Sequence, residues 1–182
     1  MERMRYVAFL RGINVGGNTL VSMEQLKRVF ATLSFTSVET VLASGNVVFD
    51  GPKTDLRRLT LRIEEKLHRE FGHEIAVLLR TSEELLSLLK AQPFKKIKVT
   101  AQTRLNVSFL PDQPKRASTL PQQLMGTGFQ IERISEREVC SALEASPGHG
   151  TSGLMRILEK EFGKRITTRT WNTIERIGRL LC

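Results

Sequence analysis

The chain has 182 residues, 40% hydrophobic and 26% charged, a composition that supports a packed core and a length that suits one large domain or two small ones. Two distant cysteines (Cys140, Cys182) and three scattered histidines (His68, His73, His149) exclude a disulfide scaffold and any zinc-ligand spacing. The net charge of +9 favours anionic partners, but the basic residues are spread along the chain and form no like-charged tail.

Residues 6–10 form a continuous apolar run, read as a strand buried on both faces. The run is too short for a signal-peptide core, and no stretch approaches the roughly 20 apolar residues of a membrane span. A soluble, cytoplasmic protein without a membrane partner is expected. A Gly/Asn-rich loop runs from Gly12 to Asn18, and Ser22 with Gln25 forms a capping box for a helix over 23–33. Residues 38–43 and 47–49 read as strands around a Ser44-Gly45-Asn46 turn. Thr54 caps a helix to Phe71, with Leu56, Leu59, Ile63 and Leu67 on one stripe and Gly72 just past its end. Residues 75–79 are the fourth strand, and Thr81 with Glu84 starts a helix over 83–90.

A lysine-rich linker, 93–103, separates a first subdomain (1–92) from a second (104–182). In the second, Leu105, Val107 and Phe109 alternate as a strand, and 115–125 is a weak helix containing Pro121. A hairpin follows over 129–134 and 138–143. Ser152 caps a helix over 154–162, then come a short strand at 166–168 and a closing helix over 171–181. Both halves read β-α-β-β-α-β-α, so the fold class is α+β: two tandem βαββαβ units, each followed by an extra helix. The repeat extends to residues. Leu67-x-x-Glu70-Phe71-Gly72-x-x-Ile75, then Arg80-Thr81, recurs as Leu158-x-x-Glu161-Phe162-Gly163-x-x-Ile166, then Arg169-Thr170. This points to a duplication.

A βαββαβ sheet has strand order 4-1-3-2, with strand 1 antiparallel to both neighbours. The loop after the first strand therefore lies beside the Ser44-Gly45-Asn46 turn. That gathers Arg11, Gly12, Asn14, Gly16, Gly17, Ser44 and Asn46, a set of amides, a hydroxyl and a guanidinium suited to a phosphate or carboxylate. The same residues also suit a purely structural loop, with glycines at positive φ and asparagines capping the backbone. In the second half, the Gly-rich segment 147–153 enters a helix N-terminus near Arg169, Trp171 and Asn172. Ser152 and His149 lie in that segment, and His149 is the one candidate acid/base. Trp171 also reads as a core anchor beneath the last helix. No Walker, Rossmann or nucleophile-elbow motif is present, so no cofactor, metal or enzyme class is assigned. The third strand of the first half lacks the aromatics of an RNA recognition module.

Three stretches carry a family resemblance: Arg5-Tyr-Val-Ala-Phe-Leu-Arg-Gly-Ile-Asn-Val-Gly-Gly17, Ala43-Ser-Gly-Asn-Val-Val-Phe49 and Thr167-Thr-Arg-Thr-Trp-Asn-Thr173. Through them the chain resembles the bacterial family catalogued as domain of unknown function 1697. The resemblance implies a pair of ferredoxin-like subdomains and no particular activity. The chain departs from the family pattern at Thr170, where asparagine is usual, and at Gly153, where lysine is usual. Three functions are consistent with the residues: a binding protein for a small phosphate- or carboxylate-bearing ligand, a nucleic-acid-associated protein using its basic surface, and an enzyme on a phosphorylated metabolite. Oligomeric state is not legible in the sequence.

Overall fold

The computed structural model describes residues 2–14, 20–111, 123–124, 128–144 and 151–181. The first half contains β1 (Arg3–Leu10), α1 (Met23–Thr32), β2 (Thr36–Val41), β3 (Asn46–Pro52), α2 (Leu56–Phe71), β4 (Val77–Thr81) and α3 (Ser82–Ala91). The second contains β5 (Thr103–Phe109), β6 (Gln123–Leu124), β7 (Phe129–Ile134), β8 (Glu138–Glu144), α4 (Thr151–Phe162), β9 (Thr167–Thr170) and α5 (Trp171–Gly178). The fold is α+β, with tandem ferredoxin-like subdomains. Among the described residues, no helix is long and apolar enough to cross a membrane.

The first sheet has order β2-β3-β1-β4, the 4-1-3-2 arrangement expected of the motif. The second, β6-β7-β8-β5-β9, has the same arrangement with one added edge strand. That strand corrects the expected helix over 115–125. Gln123 and Leu124 pair with Gln130 and Phe129 as a β-ladder, while 112–122 and 125–127 lie outside the described residues. Pro121, which lacks an N–H and clashes with a preceding helical turn, already argued against that helix.

By packing, the chain divides into two compact units: Met1–Ser87 with Glu175–Cys182, and Leu88–Ile174. In the first unit, Tyr6, Ala8 and Leu10 of β1 face a core formed with Leu26, Val29 and Phe30 of α1 and Leu59, Ile63 and Leu67 of α2. At its centre, Phe49 stacks on Phe35 at 4.5 Å and on Tyr6 at 5.5 Å, with Phe30 edge-on at 5.2 Å. The alternate residues Val7 and Phe9 are also fully buried, as the unbroken apolar run required. The C-terminal segment belongs to this unit, where Leu180 O accepts a hydrogen bond from Arg5.

The helix signals acted as read at several ends. Ser22 and Gln25 form a reciprocal capping box on α1, and Thr81 and Glu84 exchange the same pair of bonds on α3. Gly72 closes α2 with φ 77°, its N–H bonded to His68 O. Gly163 repeats this after α4 with φ 86° and a bond to Glu159 O, the left-handed cap that favours glycine. Two caps differ. The N-cap of α2 is Asp55, whose carboxylate accepts from Arg58 N, in place of Thr54. Helix α4 starts at Thr151, so Ser152 lies inside it and is not the cap.

The registers align the two halves residue by residue. Val7 sits between Val48 and Arg80, and Val107 sits between Cys140 and Arg169. Tyr6, Phe49 and Thr81 therefore correspond to Asn106, Ser141 and Thr170, while Ala8, Val47 and Leu79 correspond to Ser108, Val139 and Thr168. Deleting residues 175–182 removes the buried Ile177 and the acceptor of Arg5. Burial of one such side chain is worth about 2 kcal/mol. The truncated protein should lose at least that much stability, read as a lower urea midpoint than that of the full chain.

Candidate functional site

The structure places the described part of the loop after β1 (residues 11–14) beside the Ser44-Gly45-Asn46 turn, as the topology required. β1 ends with Leu10 N donating to Gly45 O at 2.8 Å, and Arg11 N reaches Ala76 O at 2.9 Å. Gly45 has φ +74°, and a Cβ there would lie 2.6 Å from Ile13 Cδ1 and 3.0 Å from Leu10 Cβ, so the turn favours glycine against this loop. Asn14, itself at φ 57°, ties the loop shut. Its Nδ2 donates to Val21 O and Ala43 O at 2.9 and 2.8 Å, and its Oδ1 accepts from Val21 N at 2.9 Å. Asn46 is fully buried and donates to Val41 O at 2.7 Å and to Ser44 Oγ at 3.0 Å. Both asparagine side chains are thus committed to local structure. Arg11 is half-buried and Gly12 is exposed at φ 73°, while Gly16 and Gly17 lie outside the described residues.

In the second half, His149 lies outside the described residues. Arg169 is buried on β9 and donates to Thr167 Oγ1 at 2.7 Å and Thr168 O at 2.9 Å. Burial pushes its guanidinium down to about 10, so it stays charged at neutral pH. Its counterpart Arg80, also buried, donates to Leu79 O at 2.8 Å, so both arginines bond to the carbonyl just before them. Trp171 is half-buried and edge-on to Phe94 at 5.2 Å, the anchoring role its type suggested, and Asn172 is exposed. The Cys140 thiol is buried and, mainly through desolvation, pushed up to about 12, so it is a poor nucleophile at neutral pH. Among the described residues, no group of three or more His, Cys, Asp or Glu could hold a metal ion.

A second feature lies on the outer face of α2, where sequence reading saw only dispersed charge. A shallow depression of about 430 Å³ is lined by Asp55, Arg57, Arg58, Leu61, Arg62 and Glu65. Arg57 and Arg58 occupy the first turn, which holds no acidic residue, although the positive end of the helix dipole opposes cations there. Both are exposed, and among the described residues neither makes an ion pair. Further along the helix, Glu65–Arg69 and Lys66–Glu70 pair at 3.9 and 3.8 Å, so charge there is balanced. Arg62 is held in place, donating to Leu33 O at 3.1 Å with its guanidinium over the Phe35 ring at 5.8 Å. Leu61, between these arginines, is 51% exposed. The sequence signal was the pairing of basic residues with an acid-free first turn.

The role of Asn14 is directly testable. Asn14→Ala removes three hydrogen bonds and places alanine at positive φ, and should cost about 2–3 kcal/mol. Asn14→Gly restores the backbone freedom alone and should fall between Asn14→Ala and the native protein, both read by urea denaturation.

Similarity to known proteins agrees with this architecture. The solved structure of a conserved bacterial protein, SP0830 from Streptococcus pneumoniae, superposes over 100% of both chains with a TM-score of 0.75 and 20% identity. At that identity the likeness is one of fold. No curated protein matches the chain. The family model for "Protein of unknown function (DUF1697)" matches residues 4–140, and the chain belongs to that family.

Proposed function

We propose that this protein binds nucleic acid through the N-terminal half of α2. The observation that carries this reading is the exposed Arg57 and Arg58, unpaired among the described residues, in a helix turn where their charge is unfavourable. A local rule broken without a compensating contact marks a surface kept for a partner. Arg58 and Arg62, four residues apart, project along one stripe about 6 Å long, with Leu61 and Arg57 on the adjoining stripe. Guanidinium groups in such a row suit successive backbone phosphates, which accept their forked N–H groups in pairs. The open shape of the depression suits a polymer better than an enclosed small molecule. The net charge of +9 adds long-range attraction of the same sign. A small-anion cradle at the two Gly-rich loops has less support, because Asn14, Asn46 and Arg169 already direct their donors into the surrounding chain.

The test is the salt dependence of binding to a duplex oligonucleotide. Each phosphate contact contributes roughly 0.9 to the slope of log K against log salt. Arg57→Ala/Arg58→Ala should weaken binding and lower the slope by roughly 1.8. Stability should be unchanged or slightly higher, because two cations leave the positive end of the dipole. Lys95→Ala/Lys96→Ala removes the same charge from another exposed segment and should have a much smaller effect. Equal loss in the two double variants, or binding that ignores salt, would sink the proposal.

A further inference from the structure

We infer, resting on the nucleic-acid reading, that the α2 depression seats an unpaired nucleotide, with Leu61 against its base and Glu65 accepting from an exocyclic amino group. The target class is then single-stranded nucleic acid with accessible bases, in preference to a closed duplex.

The order of residues along the helix carries this. Arg57, Leu61 and Glu65 are spaced four residues apart and share one stripe about 12 Å long. All three are exposed and line the same depression. The stripe therefore runs cation, apolar side chain, anion. A nucleotide offers the complementary series: a phosphate, a flat ring face and, in cytosine, adenine and guanine, an amino donor. A surface for phosphates alone would continue the positive charge, whereas Glu65 repels a backbone carried past Leu61.

A lone surface leucine needs no explanation. Leu61 differs because Arg57, Arg58 and Arg62 line the same depression, so whatever covers its 51% exposed side chain must be both anionic and apolar. Asp55 and Glu65 add acceptors that a fatty acyl chain cannot use and a base can. Asp55 uses Oδ1 for the Arg58 N–H and Glu65 uses Oε2 for Arg69, which leaves the second oxygen of each. Arg62 is ordered by Leu33 O and the Phe35 ring, and a guanidinium held in this way gives a nucleobase a plane to stack on. Arg57 and Arg58 have no such anchor among the described residues and are left for phosphate. The volume of about 430 Å³ lies within the roughly 300–1,000 Å³ of sites that seat a small organic group. A duplex presents phosphates outermost and keeps its ring faces stacked inside, so it would leave this space unfilled.

The experiment is fluorescence anisotropy of the full-length protein with four labelled probes of equal length at one salt concentration. They are oligodeoxycytidine, oligothymidine, an abasic strand and a mixed-sequence duplex. Oligodeoxycytidine should bind roughly fivefold tighter than the abasic strand, because a seated base adds contact. It should also bind tighter than the duplex, which charge density alone would favour. Its advantage over oligothymidine should be roughly threefold, because thymine carries no amino donor. Leu61→Ala should weaken oligodeoxycytidine binding roughly fivefold and leave the slope of log K against log salt unchanged, since no phosphate contact is removed. The same substitution should leave abasic-strand binding and the urea midpoint unaltered. Glu65→Ala should erase the preference for cytidine over thymidine. If the duplex, the abasic strand or oligothymidine binds as tightly as oligodeoxycytidine, or Leu61→Ala changes nothing, this inference falls and the phosphate reading stands. If no probe binds in a salt-dependent way, both fall.

Discussion

Everything else in each half hangs on the antiparallel pairing of its central strand. β1 hydrogen-bonds to β3 on one side and β4 on the other, and β5 does the same with β8 and β9. Because the ladders are made of main-chain groups, they set which residues face the helices without regard to side-chain type. Shifting the central strand by one residue would turn Tyr6, Ala8 and Leu10 away from α1 and α2. The same pairing brings the loop after β1 against the Gly45 turn and lets Asn14 close it.

Conserved register with divergent side chains is the signature of the duplication. Arg80 and Arg169 occupy the same position, are both buried, and both bond to the carbonyl of the residue before them. Gly72 and Gly163 end corresponding helices with the same left-handed cap. Against this shared frame the helix-facing rows have parted. One half packs Tyr6, Phe30, Phe35 and Phe49 ring on ring, and the other presents Asn106, Ser108 and Ser141. Aromatic burial is among the largest single contributions a core can receive, and the second half does without it at these strand positions.

The order of elements was legible because strong local signals coincide with it: the unbroken run at 6–10, the Ser22/Gln25 and Thr81/Glu84 boxes, and the repeated Glu-Phe-Gly. Where two neighbours offer the same chemistry, resolution fails. Thr54 and Asp55 are both good caps, and only the geometry of the entering chain selects the carboxylate. The polar row was invisible for a different reason. Leu105, Val107 and Phe109 alternate with Arg104, Asn106 and Ser108, which is the pattern of a strand with one solvated face. Tertiary packing buries that second face nonetheless, and period-two alternation carries no information about what will lie above it. Topology placed the start of the loop beside the Gly45 turn, but whether an asparagine faces a ligand or its own backbone is decided by distances of a few tenths of an ångström.

Charge on α2 is distributed in a way the fold does not need. The members of the Glu65–Arg69 and Lys66–Glu70 pairs sit one turn apart in the second half of the helix, where the i,i+4 spacing brings them together at small cost. Acidic residues at 57 or 58 would gain from the dipole, and they would offset Arg62, which is fixed by Leu33 O and the Phe35 ring. Arginines there do the opposite, adding like charge beside Arg62 at the helix end least able to tolerate it. The Asp55 cap relieves this only in part, because its carboxylate is engaged with the Arg58 backbone N–H and makes no ion pair with the guanidinium. An arrangement that opposes its own helix gains most when an external anion supplies the missing negative charge, and phosphates laid along the stripe would do so without altering the sheet beneath.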